Sequence, residues 1–281
     1  MATFGDMQAM NSSYSRCELE SAIRSTGIKS GDIISLQVSL GRLGLMSDQP
    51  PDYGVISNVV IDTFLDIIGY EGTLLVPTYT YSIGRGEIFD VARTPSAIGE
   101  FPEIFRKRSG ALRSRDPMLS NAALGSMARV LLRDIANTCY GENSTFHRLR
   151  QHGGKICMLG LDLHWATFRH HIEEMAQVPF RFHKVFHGMI LENDILSSES
   201  WVYFAAPLGV TNCEPNGRPL AEIAKARNLV RSAPVGRGRI MVIDAQTYYD
   251  LGILELKKNP WLTAKGPPIP IDEYVKRELS L

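Results

Sequence analysis

IISLQVSLGRLGLMSDQPPDYGVISNVVIDTFLDIIGYEGTLLVP, residues 33–77, holds two short apolar runs with a helical pattern between them. Ile33–Val38 is too short for a helix and reads as a buried strand. It runs into a small-residue loop, Ser39-Leu-Gly-Arg-Leu-Gly44, of the kind that can offer backbone N–H groups to a phosphate. From Asp52 to Ile68 the apolar residues Val55, Val59, Phe64, Ile67 and Ile68 recur at helical period, and Gly69 ends the run. Gly72–Pro77 is a second buried strand. Strand and helix alternate through the first half of the chain, which predicts an α/β fold. We expect three α/β/α layers around a mainly parallel or mixed central sheet. Aromatic and β-branched residues from Phe180 to Glu192 and from Trp201 to Ala206 add an antiparallel extension in the C-terminal part.

Working outward, residues 1–14 read as flexible and Glu18–Arg24 as a short helix. Further helices are expected over Pro102–Lys107, Ala128–Ala136, Leu220–Val230 and Ala245–Lys257, and one capped by Ser144 running through Arg150. Strands are expected over Leu119–Leu124, Gly154–Leu159 and Ile240–Ile243, before a proline-rich tail. At 281 residues and 44% hydrophobic, the chain reads as a single domain over residues 1–281. Thirty basic and thirty acidic residues cancel, so bulk charge gives no support for a nucleic-acid or membrane-surface partner. No apolar run approaches a membrane span, and MATFGDMQAMNSSYSR lacks a signal-peptide core. Cys17, Cys139, Cys157 and Cys213 form no CxxC pair and suggest buried thiols in a reducing cytoplasm. A homodimer is left open.

The chemistry concentrates in Gly160–Phe180, GLDLHWATFRHHIEEMAQVPF. Phe168, Ile172, Met175 and Ala176 fall at helical spacing toward a core, with Thr167 as the cap and Pro179 as the stop. His170, Glu173, Glu174 and Gln177 then share the opposite face. An imidazole within one turn of two carboxylates is the equipment for proton abstraction from a nucleophile.

Read as Thr167-x-x-His170-x-x-Glu173-x-x-Ala176-x-x-Pro179 after the strand Ile156–Gly160, this stretch resembles the signature of the aminoglycoside 3-N-acetyltransferase family. The resemblance implies acetyl-CoA as co-substrate, no metal, and catalytic roles for His170 and Glu173, with Ile172 where the family's H-x-A-E motif has alanine. Pro77-Thr-Tyr-Thr80 is similar to the family's P-T-F/Y-T element, and Phe89-Asp…Thr94-Pro-Ser…Gly99 and Gly110-Ala-Leu-Arg-Ser114 also recur. Arg106, Lys107, Arg108, Arg113 and Arg115 place five cations within ten residues, a cluster suited to the phosphates of coenzyme A. The resemblance therefore points to Ser39, Leu40, Arg113, Ser114 and Ser120 on the cofactor side, and to Tyr79, Tyr81, Asp116 and Glu174 on the acceptor side. Two departures stand out. Asp116-Pro-Met-Leu-Ser120 replaces a common H-P-x-H-S, and Gln37 stands where many relatives have the histidine of H-x-S-L.

Other motifs carry less. His183 and His187 lie in a strand-like run, where about 13 Å at roughly 3.3 Å per residue keeps them from sharing a metal. Gly84-Arg-Gly86 and Gly236-Arg-Gly238 lack the strand-to-helix setting of a dinucleotide loop, and no G-x-S-x-G elbow occurs. The expected function is acetyl transfer to a small-molecule amine, an amino sugar of a glycan or secondary metabolite, with His170 as base. Abundant arginine and the lack of an acidic run favour that acceptor over an aminoglycoside, the second reading. A metal-dependent hydrolase on His170, Glu174 and His187, or a non-catalytic binding protein, are the other classes. For the oxyanion donor a backbone N–H, Thr78, Thr80 and Thr167 all stay open.

Overall fold

The computed structural model describes residues 13–270. The flexibility expected for residues 1–12 falls outside them. Tyr14 does not share it: its ring is buried, its N–H donates to Leu45 O at 3.0 Å, and its carbonyl accepts from Ser47 N–H at 2.8 Å.

Helix α1 (Arg16–Ser25) opens on a capping box between Ser15 and Glu18. β1 (Ile33–Val38), α2 (Tyr53–Ile68) and β2 (Thr73–Pro77) follow as the strand–helix–strand unit read from the sequence, with Asp52 capping Val55 N–H. Next come β3 (Phe89–Asp90), α3 (Glu100–Arg106), β4 (Leu112–Arg113), β5 (Asn121–Gly125), α4 (Ala128–Leu132), α5 (Thr145–Gln151) and β6 (Lys155–Leu159). The second half holds α6 (Arg169–Met175), the hairpin β7 (Phe182–Glu192) and β8 (Ile195–Ala205), α7 (Arg218–Ala226), β9 (Arg231–Val235), β10 (Gly238–Asp244) and α8 (Ala245–Lys258).

The central sheet has seven strands in the order β4-β5-β2-β1-β6-β10-β9, and β3-β7-β8 form a separate three-stranded sheet. In the central sheet parallel pairing is confined to β2–β1–β6, and both flanks are antiparallel. The sheet is therefore mixed rather than mainly parallel. Strand alternation divides the core into two halves. Ile33, Ile156, Met158, Met241 and Ile243 pack with Leu149, Leu220 and Tyr248 of α5, α7 and α8. Ile34, Leu36, Cys157, Leu159 and Val242 pack with Ile23, Phe64 and Phe105 of α1, α2 and α3. Helices on both faces of one sheet give the three layers.

Some local expectations change. Val55 is exposed, because the buried stripe of α2 runs instead through Val60, Ile61, Phe64 and Ile67. α4 stops at Leu132, where Arg133 turns extended. α7 ends early, Asn228 takes a left-handed φ of 56°, and the chain enters β9, which the sequence did not signal. Cys17 is exposed, whereas Cys139, Cys157 and Cys213 are buried. Among the described residues no helix is long and apolar enough to cross a membrane.

Candidate active site

The three central strands β2, β1 and β6 end side by side, and the crevice beyond such ends is where open α/β sheets bind ligands. A cleft of about 430 Å³ lies there, lined by Gln37 and Val38 at the end of β1, Tyr79 and Tyr81 after β2, and Leu161 and Thr167 after β6. Tyr81 holds a left-handed φ of 56°, anchored by its N–H on Met118 O at 3.1 Å. A tyrosine in that region is strained, and the strain aims its ring edge-on to Tyr79, 6.2 Å away. Gly160, φ 70°, lets the end of β6 pass the loop after β1: a Cβ there would stand 2.4 Å from Ser39 O. Ser39 is half-buried at that edge, while the Leu40 side chain is core. Thr78 and Thr80 are buried, with their hydroxyls bonded to Ser120 O and Pro117 O at 3.1 and 2.9 Å. Of the threonines named as oxyanion donors, only Thr167 lines the cleft.

α6 departs from its amphipathic reading. Arg169, His171, Ile172, Glu173 and Glu174 are all buried, so the helix is enclosed rather than solvated on one face. Phe168 occupies the cap position with no side-chain cap, and Thr167 instead gives its N–H to Gln37 Oε1 at 3.1 Å. A buried carboxylate must be paired, and Glu173 is paired on every side. Its Oε2 lies 2.7 Å from His170 Nδ1 and 2.8 Å from Arg181 Nε, and its Oε1 meets Arg169 Nη1. Burial opposes ionisation of Glu173, but Arg169, Arg181 and His170 outweigh it and hold the carboxyl well below the usual range.

An ionised carboxylate only accepts, so the ring proton of His170 sits on Nδ1 and Nε2 keeps its lone pair. Arg169 Nη2 stands 3.5 Å from Nε2, at the edge of hydrogen-bonding range. Burial, followed by Arg181 and Arg169, pushes the imidazole down to about 3 against the pull of Glu173. The imidazole is therefore neutral at physiological pH and 16% of its side chain is open. His170 stands one turn beyond Thr167, its N–H on Thr167 O at 2.9 Å. His171 is core: Nδ1 lies 2.5 Å from Tyr140 O, the ring stacks on Tyr249, and burial lowers its pKa to about 4.

The hairpin contributes groups the sequence did not single out. Arg181, just before β7, also donates to Phe204 O of β8 at 3.0 Å. Tyr140 packs its ring 5.3 Å from both His170 and Tyr203, and gives its hydroxyl proton to Tyr203. No local pattern marks Arg181 or Tyr140, because their partners lie on distant segments.

Glu174 turns away from His170 to His183 Nε2 at 3.2 Å, and burial raises its pKa. It is engaged there rather than facing the cleft. The other expected contacts are corrected more sharply. Arg113 is buried, with Nε 3.2 Å from Thr78 Oγ1 and Ser120 Oγ, Nη1 2.6 Å from Thr94 O and Nη2 2.8 Å from Thr78 O. With Nη1 also 3.3 Å from Val91 O, four of its five N–H donors are engaged inside the protein, so the side chain braces this loop rather than presenting its fork to a phosphate. Ser120 donates to Thr78 O and Ser114 accepts from Asn121 N–H, both fully buried. Asp116 Oδ1 accepts from Met118 and Leu119 N–H at 2.8 Å, shaping its own turn, and burial pushes its pKa up to about 6. The remaining cations of the cluster are paired: Arg106 and Lys107 with Glu103, Arg108 with Asp62, and Arg115 with Glu192 and Glu199.

Exposed arginines instead occur at the cleft end of the sheet. Arg42, Arg237 and Arg239 are exposed where the loop after β1 docks on the β9–β10 turn, with Arg237 N–H on Leu43 O at 2.9 Å. Among the described residues none of the three makes an ion pair, so they could hold phosphates. No metal-binding group of three or more His, Cys, Asp or Glu occurs among the described residues. Glu174 faces His183 and His187 faces Ser200 at 2.8 Å, so the triad of a metal hydrolase is not assembled.

Comparison with known proteins bears directly on this site. Aminoglycoside N(3)-acetyltransferase VII of Streptomyces paromomycinus is 26% identical over 275 residues, 87% of this chain and 92% of that protein. Among solved structures, aminoglycoside acetyltransferase AAC(3)-Xa superposes with a TM-score of 0.77 at 23% identity, covering 92% of this chain and 96% of that one. AAC-IIIb, solved as a binary complex with CoASH, gives 0.75 at 23% identity over 90% and 99%. These two likenesses establish the fold. The model of the aminoglycoside 3-N-acetyltransferase family matches residues 36–256, which include every strand of the central sheet except the first three residues of β1, and the whole His170–Glu173 helix. The chain belongs to the aminoglycoside 3-N-acetyltransferase family.

Proposed function

We propose that the chain is an acetyl-CoA-dependent N-acetyltransferase acting on an amine of an aminoglycoside-type amino sugar. The carrying observation is the His170–Glu173 pair, its tautomer fixed, one helical turn beyond Thr167, which lines the cleft at the ends of β1, β2 and β6. An amine is largely protonated at pH 7 and must lose a proton to attack a thioester. His170 Nε2 takes that proton and Glu173 steadies the resulting imidazolium, help worth about 10²–10⁴-fold. The imidazolium then returns the proton to the departing thiolate. The apolar cleft suits the thioester arm, and Arg42, Arg237 and Arg239 suit its phosphates. The family match across residues 36–256 also supports reading residues 1–281 as one domain.

The family and the named relatives support an aminoglycoside acceptor over the glycan amino sugar expected from composition. One observation keeps the less charged amine as a second reading: the residues lining the described cleft include no carboxylate. Thiol release from acetyl-CoA, measured against gentamicin-type drugs and against neutral and nucleotide-linked amino sugars, decides. Specificity constants near 10⁵ M⁻¹s⁻¹ for the drugs support the first reading. Turnover confined to the other panel replaces it with the second, and no thiol release with any acceptor rejects both.

A further inference from the structure

Acyl transfer needs a donor at the carbonyl oxygen as well as a base, because the attacking nitrogen pushes the C=O π pair onto that oxygen. The described cleft offers few candidates. Thr78 and Thr80 hydroxyls are bonded to carbonyls, and the Tyr79 hydroxyl, although it has no hydrogen-bond partner among the described residues, is itself fully buried and closed to a ligand. Gln37 is different. Its Oε1 accepts from Thr167 N–H at 3.1 Å, and a backbone N–H can only donate, so the amide cannot be flipped. The NH₂ end is therefore the free one. It makes no hydrogen bond among the described residues, and Gln37 lines the cleft at the end of β1. The carboxamide is held at both ends of its lever, by the strand backbone and by the residue whose carbonyl accepts His170 N–H at 2.9 Å.

We propose that Gln37 Nε2–H is the hydrogen-bond donor to the thioester oxygen as its charge develops. The inference rests on the acetyl-CoA reading above. As the amine nitrogen bonds to the carbonyl carbon, His170 Nε2 takes the amine proton and Gln37 holds the oxyanion. When the C=O bond reforms, the C–S bond breaks and the proton passes from His170 to the thiolate. Thr167, tied to Gln37, keeps donor and base in register.

Gln37→Glu is the sharpest test, since it keeps the shape and an oxygen for Thr167 N–H but removes the donor. At pH 8, kcat is expected to fall about 10²–10³-fold, the loss typical of one oxyanion donor, with KM for acetyl-CoA changed less than about threefold. Isotope-edited infrared spectroscopy of bound ¹³C=O acetyl-CoA supplies a readout independent of the acceptor. The carbonyl stretch should lie lower in the parent protein than in Gln37→Glu. If acetyl-CoA binds the parent but the stretch is the same in both, or if kcat stays within threefold, the Gln37 assignment is overturned and the transferase reading stands. If calorimetry shows that the parent does not bind acetyl-CoA, the transferase reading falls and takes the assignment with it. Should Gln37→Glu fail to fold, Gln37→Met, of similar volume and without a donor, must show the same loss or overturn the proposal.

Discussion

Two arginine-rich regions of this protein use their charge in opposite ways. Between residues 106 and 115, each cation meets a nearby acid or, for Arg113, a set of carbonyls and hydroxyls. That region is neutralised where it stands and braces the loop after β2. Around α6, two arginines converge on one fully buried carboxylate that also holds the imidazole. There the positive charge exceeds the negative, and the excess acts on His170. Arginine density in the sequence therefore marks a braced loop in one place and a buried cluster around an imidazole in the other. The difference is what the guanidinium faces: acids and carbonyls of its own loop, or a carboxylate that also holds an imidazole.

Five substitutions test that contrast. His170→Ala should lower kcat about 10³-fold, roughly 4 kcal/mol in the barrier, while leaving the protein folded. His171→Ala should cost core packing instead, so equal loss of turnover in both variants, measured by thiol release, removes His170 as the base. Arg113→Ala should act on stability, by about 3 kcal/mol, since it leaves buried acceptors unpaired. Denaturant midpoints measure this. Weaker CoA binding by the folded variant, with stability intact, would return Arg113 to the cofactor side.

Arg181→Gln removes one of the charges that disfavour the imidazolium, so the His170 pKa must rise. A protonated base is inactive, and the acid limb of the kcat/KM profile should therefore move to higher pH, by about one unit. The groups facing this pair are Arg169 on α6, Arg181 before β7, Tyr140 before α5 and Tyr248 on α8; only Arg181 is changed. A limb that stays in place or moves to lower pH contradicts the charge argument. The smallest effect belongs to Arg108→Ala. Its partner Asp62 is 43% exposed, so screening limits the loss to below about 1 kcal/mol, with activity unchanged. A larger loss would blur the distinction between the regions.

Much of this was legible in residue order. Ile33–Val38 and Gly72–Pro77 announced buried strands because a short apolar run has few other uses, and Asp52 with Gly69 bracketed the helix between them. The spacing from His170 to Glu173 placed imidazole and carboxylate within one helical turn, where i and i+3 side chains are neighbours. Helical geometry carries such pairs from sequence to space without help from the rest of the fold. Partners far apart in the chain have no such warrant. Arg181 reaching Glu173 and Phe204, Gln37 reaching Thr167, and Arg113 closing on Thr78 and Thr94 each depend on which strands became neighbours. Nor could local charge show that the face bearing Glu173 would be enclosed. Residue order carried most of the elements, though not β9, and the His–Glu spacing. Tertiary packing alone decided which charges are buried, and burial converts an ordinary helix face into a neutral imidazole held against an ionised carboxylate.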